Sequence, residues 1–100
     1  MNPEPFPQIG MGATVCYLSD SHAYTVIEMS SSGKKLTLQR DNAERKDNNG
    51  MSESQEYIYS PNPEGAIIYV SFRKDLKFRI VKSSTLVLVG VRREYYDYSF

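Results

Sequence analysis

One hundred residues with 24% charged side chains and a formal net charge of +0 fit one small globular domain around a single modest core. No run approaches the roughly 18 consecutive apolar residues of a membrane helix, and the opening MNPEPFPQIG lacks the basic and apolar blocks of a secretory leader. The single Cys16 excludes an internal disulfide and a thiol pair for a metal. It is expected to be a small buried hydrophobe, and the cytoplasm is the expected compartment.

Neutrality hides an asymmetry. Residues 1–71 carry five Lys/Arg against nine Asp/Glu, a balance of −4. Residues 72–93 carry seven (Arg73, Lys74, Lys77, Arg79, Lys82, Arg92, Arg93) against Asp75 alone, a balance of +6. A basic patch is therefore expected despite the ordinary isoelectric point, with nucleic acid as one class of partner.

Pro3, Pro5 and Pro7 predict an extended or disordered segment over residues 1–9, with one ordered domain over 10–100. Short β-type runs follow at Ala13–Leu18, Ala23–Ser30 and Lys34–Arg40. The second and third are expected to form a hairpin through Ser31-Ser32-Gly33, with Gly33 at positive φ. Simple alternation sets Thr25, Ile27 and Met29 on the core face opposite Leu36 and Leu38, and Glu28, Thr37 and Gln39 toward water.

The polar stretch Arg40 to Glu56, RDNAERKDNNGMSESQE, has no apolar period and reads as a long loop, a class that is usually functional or disordered. After it, Glu56–Ser60 and Ala66–Phe72 flank Pro61-Asn62-Pro63-Glu64-Gly65 and read as a second hairpin. Lys77–Lys82 follows, and TLVLVGV (Thr85–Val91) reads as a strand buried on both faces. About six short strands predict an all-β fold, a small closed barrel carrying one long polar loop.

Residues 10–41, GMGATVCYLSDSHAYTVIEMSSSGKKLTLQRD, resemble the first three strands of SH3-like barrels of the Tudor or KOW sort. That resemblance implies the fold and no particular function. The combination S-D-S-H, T-V-I-E, L-Q-R-D, D-N-N-G-M-S-E-S-Q-E-Y and E-Y-Y-D-Y-S-F resembles a family of small phage- and prophage-encoded proteins. It implies a viral origin, and with it a host-directed or genome-associated role in the cytoplasm of the host.

The chemistry available is narrow. Asp20, His22 and Glu53 are the residues from which an acid–base set would be assembled, but no nucleophile signature accompanies them. Arg45–Glu56 brushes against a calcium loop through Asp47, Asn49, Gly50 and Glu56. Arg45, however, occupies the first ligand position, where its cation would repel the ion. No metal and no cofactor is expected.

The ligand-binding candidates are Arg40, Arg45, Ser52, Ser54 and Gln55 in the polar stretch, with Arg92, Arg93, Tyr95, Tyr96 and Tyr98 in the tail. Guanidinium forks hold phosphate in two-point fashion, hydroxyls and amides read polar groups, and tyrosine faces stack rings. The leading expectation is a non-catalytic module capturing a small phosphorylated, nucleotide-like ligand; in a phage setting it would be a sponge for an immune second messenger. The alternatives are a module that binds and inhibits a host or phage protein, and a nucleic-acid-binding barrel. An apolar last strand and an aromatic tail also predict a homo-oligomer.

Overall fold

The structure is a computed structural model that describes residues 7–17, 20–48 and 55–95. Its eight strands are β1 (Gly12–Cys16), β2 (Ser21–Met29), β3 (Lys35–Arg40), β4 (Asn42–Arg45), β5 (Tyr57–Ser60), β6 (Ile67–Phe72), β7 (Phe78–Ile80) and β8 (Leu86–Val89). Six form a closed barrel in the order β1-β2-β3-β6-β7-β8, sealed where β8 pairs with β1, and every neighbouring pair is antiparallel. The all-β barrel expected from the sequence is therefore the fold. With only six strands, inward side chains fill the interior: Ala13, Val15, Tyr24, Val26, Leu36, Leu38, Val70 and Val87 are all buried. Each large aliphatic among them contributes about 1.5–3 kcal/mol by leaving water.

The β2–β3 hairpin turns through Ser31-Ser32-Gly33, and Gly33 takes φ 74° as the composition required. The facing of β2 differs from simple alternation. A register shift between Val26 and Glu28 inserts a bulge at Ile27, so Tyr24 and Val26 point inward while Thr25 shares the outer face with Gln39. Beyond the bulge Met29 is opposite Leu36 and Glu28 opposite Thr37, the phase expected from the sequence.

The polar stretch is not one loop. Its beginning is β4, which pairs with β5 as a two-stranded arm outside the barrel, Asn42 opposite Ser60 and Arg45 opposite Tyr57. The expected β5–β6 hairpin does not exist. β5 belongs to β4, while β6 pairs with β3, Leu38 opposite Ile68. Residues 61–65 are a turn, closed by the Gly65 N–H on the Asn62 carbonyl at 2.8 Å, that carries the chain from the arm back to the barrel. At Gly65 the main chain runs so close to the Arg40 carbonyl that a Cβ would overlap it.

The last strand also departs from expectation. In β8 only Val87 is buried, whereas Leu88 is 45% exposed and Val91 beyond it 44%. TLVLVGV is thus a strand with one face in the core and an apolar face outward.

Candidate functional site

The C-terminal segment is stitched across the end of β1 and β2 by buried polar side chains. Thr14, 1% exposed, donates its hydroxyl to the Val91 carbonyl at 2.7 Å and accepts the Arg93 N–H at 3.0 Å. Ser21 and Tyr95 exchange backbone hydrogen bonds at 2.9 Å, and the Ser21 hydroxyl donates to the Arg93 carbonyl. This brings Glu94 over the barrel end with a side chain that is 0% exposed.

Four donors converge on the Glu94 carboxylate. Arg40 grips it with both terminal nitrogens, Nη1 to Oε1 at 2.9 Å and Nη2 to Oε2 at 2.8 Å. His22 Nδ1 lies 2.9 Å from Oε2, and the Ala23 N–H donates to Oε1 at 3.0 Å. An ionised carboxylate only accepts, so the His22 proton belongs on Nδ1. The Arg40 guanidinium also lies 5.9 Å from the centre of the Tyr24 ring and donates to the Ala23 carbonyl at 3.0 Å. Tyr59 of the arm accepts the Glu94 N–H on its phenol oxygen at 2.7 Å. A second clasp lies alongside: Asp41, with a side chain 2% exposed, accepts from Thr25 and from Arg92 Nε at 2.9 Å.

A carboxylate offers about four acceptor sites, and all are occupied on Glu94. It has no lone pair left for a substrate proton, and the cluster acts as a fastening between barrel, arm and C-terminal segment. Nearby, burial and then the neighbouring Tyr17 push the Tyr24 phenol above its ordinary 10.0, while burial pushes the Cys16 thiol above 9.0. Folded pKa values raised above the unfolded ones give stability that is fully present below pH 9 and falls as pH climbs above it. Urea midpoints should therefore be flat from pH 7 to 8.5 and decline above it. Tyr24→Phe should lessen the decline, and an unchanged slope in that variant would exclude the tyrosine as its source.

The residues selected from the sequence are distributed unevenly. Arg40 and Arg92 hold the two buried carboxylates, and Arg45 pairs with Asp47 at 2.8 Å while lying over the Tyr57 ring. An incoming anion would have to displace a protein carboxylate at each. Gln55 accepts the Tyr57 hydroxyl at 2.7 Å, and Tyr95 bridges to Ser21 through its backbone. Arg93 has an exposed side chain with no ion pair among the described residues. His22 meets the Tyr17 ring at 5.4 Å and the carboxylate of Glu94. Asp20 is half-buried, its carbonyl accepting the Tyr17 N–H. Ser52, Glu53, Ser54, Tyr96 and Tyr98 lie outside the described residues. Glu94 itself was missed by sequence reasoning; the available signal was an acid placed directly after Arg92-Arg93 at the head of an aromatic run.

Part of the basic set is structural as well. Arg73 donates to the Ile80 and Ser83 carbonyls, and the Arg79 guanidinium holds Asp75 below the usual carboxylate range at 2.9 Å. Among the described residues Lys74, Lys77 and Lys82 make no side-chain ion pair. No group of three or more His, Cys, Asp or Glu side chains among the described residues is arranged for a metal ion. No helix among them is long and apolar enough to cross a membrane.

An open groove of about 910 Å³ lies elsewhere, between β8 and the β6–β7 turn. Met11, Phe72, Leu76, Phe78, Leu86 and Leu88 give it an apolar wall, with the Phe72 and Phe78 rings 5.1 Å apart. Among the described residues its charged lining is Lys34 and Lys77, with no carboxylate. Leu76 is 75% exposed at φ 65°. A smaller depression of about 460 Å³, lined by Met29, Tyr69 and Val81 among others, lies on the other side of the β2–β3 turn.

The chain matches no family model, no curated protein and no solved structure. Fold and geometry alone therefore carry the functional reading.

Proposed function

We propose that this protein is a non-catalytic binding module whose partner is a polypeptide seated in the groove between β8 and the β6–β7 turn. The observation that carries the reading is the apolar lining of that groove, with Leu76 and Leu88 left facing outward. Contiguous apolar surface of this kind on a small domain marks an interaction site. Leu76 adds weight, because a leucine in the left-handed region costs on the order of 1 kcal/mol and gains nothing from exposure. Asn in its place would be easier on the backbone. Leu76→Asn is accordingly expected to leave stability unchanged or raise it by about 0.5–1 kcal/mol, while weakening partner binding. In the phage setting implied by the sequence resemblance, the partner would be a host or phage protein.

The test is a yeast-displayed random heptapeptide library selected on the wild-type protein and, in parallel, on Leu88→Asp. Enrichment on the wild type alone supports the reading, and equal enrichment on both overturns it. Nucleotide-like ligands are the competing outcome. A thermal shift with millimolar cyclic di- and trinucleotides, lost in Arg93→Ala, together with no groove-dependent peptide, would replace the polypeptide with a phosphorylated small molecule.

A further inference from the structure

Strand β7 ends before β8 does. Phe78 pairs with Val87 and Arg79 with Leu86, so continuing that register would set Lys77 opposite Leu88 and Leu76 opposite Val89. The chain turns there instead. The Leu76 N–H bonds the Arg73 carbonyl, the Arg73 N–H bonds the Lys77 carbonyl, and Leu76 adopts its left-handed φ. β8 therefore runs past its neighbour along one side of the groove.

Hydrogen-bonding direction alternates along an antiparallel strand. The Gly90 N–H bonds the Gly12 carbonyl, and the Thr85 carbonyl accepts the Ile80 N–H. By that alternation Leu86, Leu88 and Gly90 aim their backbones at β1, while Thr85, Val87 and Val89 aim theirs at β7. Val87 finds Phe78. The Val89 N–H and C=O face the place β7 has vacated, and among the described residues no backbone group meets them there. A main-chain donor and acceptor directed into a half-buried apolar groove are costly unless something pairs with them.

We propose that the groove takes an extended peptide segment as an added strand beside Val89, with apolar side chains of one face against Phe78 and of the other against Leu88, and acidic residues toward Lys34 and Lys77. This deepens the polypeptide-binding reading and rests on it. Charge selects the occupant, since among the described residues the lining holds two lysines and no carboxylate. Main-chain pairing supplies affinity and the alternating wall supplies specificity, as in other strand-addition sites.

The experiment takes peptides enriched on the wild type and N-methylates each amide in turn. Strand addition predicts that methylation at the position facing Val89 weakens binding at least tenfold, with neighbouring positions within twofold. It also predicts Asp or Glu enrichment in the selected sequences, and a tenfold loss in the doubly substituted Lys34→Glu, Lys77→Glu protein. A flat methylation scan on peptides that Leu88→Asp fails to bind would overturn the added strand and leave the groove reading standing. Absence of any groove-dependent peptide would overturn both. Self-association by light scattering that Leu88→Asp abolishes would make a second copy the occupant and overturn the acidic-peptide assignment.

Discussion

Replacing Arg40 with Met is expected to destabilise the protein by about 3–5 kcal/mol, a melting-temperature loss of roughly 15–30 °C for a domain of this size. The reason is asymmetric burial. The Glu94 side chain is 0% exposed and Arg40 24%, so removing the arginine leaves a carboxylate that water cannot reach. His22 and the Ala23 N–H remain as donors but supply no fixed full charge. Glu94→Gln should cost less, about 2 kcal/mol, because the arginine left behind can turn toward solvent. The double variant should be more stable than Arg40→Met alone, since it removes the stranded charge. Chemical denaturation of the four proteins measures the cycle. A loss under 1 kcal/mol for Arg40→Met would mean the pair is screened like a surface bridge.

Gly65→Ala should cost about 3 kcal/mol, the upper end for an overpacked site, because the obstacle is main chain. The Arg40 carbonyl occupies the space a methyl would need, and Arg40 and Ala66 are joined by the Arg40 N–H on the Ala66 carbonyl at 2.9 Å. Relieving the overlap moves Arg40 and thus its grip on Glu94. The two substitutions should therefore be less than additive when Gly65→Ala is combined with Arg40→Met. Full additivity in denaturation would show that Gly65 acts on the β3–β6 ladder alone.

The sequence carried the barrel because alternation and turn chemistry are local signals. The Gly33 turn and the number of short strands could be read directly. Features set by distant contacts could not. β4 is a strand built from Asn42, Ala43, Glu44 and Arg45, whose period of two shows only in burial, the second and fourth being half-buried and the others exposed. Pro61-to-Gly65 signalled a turn correctly, yet a turn does not say which strands pair across it. The bulge at Ile27 reversed the facing of Thr25 with no Gly or Pro to announce it. Outward Leu88 was indistinguishable from a core leucine because hydropathy carries no direction. Three of the four arginines chosen for their ability to hold anions, Arg40, Arg45 and Arg92, do hold anions, but Glu94, Asp47 and Asp41 are the protein's own.

Arg40 receives the carboxylate it grips from a residue 54 positions downstream. At synthesis rates of about 5–20 residues per second, the nascent chain waits roughly 3–10 s between making one ion and making the other. For most of that wait β1 also lacks β8, and a ribosome-bound chain short of Leu86 is an open sheet with two unprotected margins. Quality-control proteases and chaperones would meet it in that form, and premature termination anywhere before Leu86 should yield fragments that are cleared rather than partly working ones.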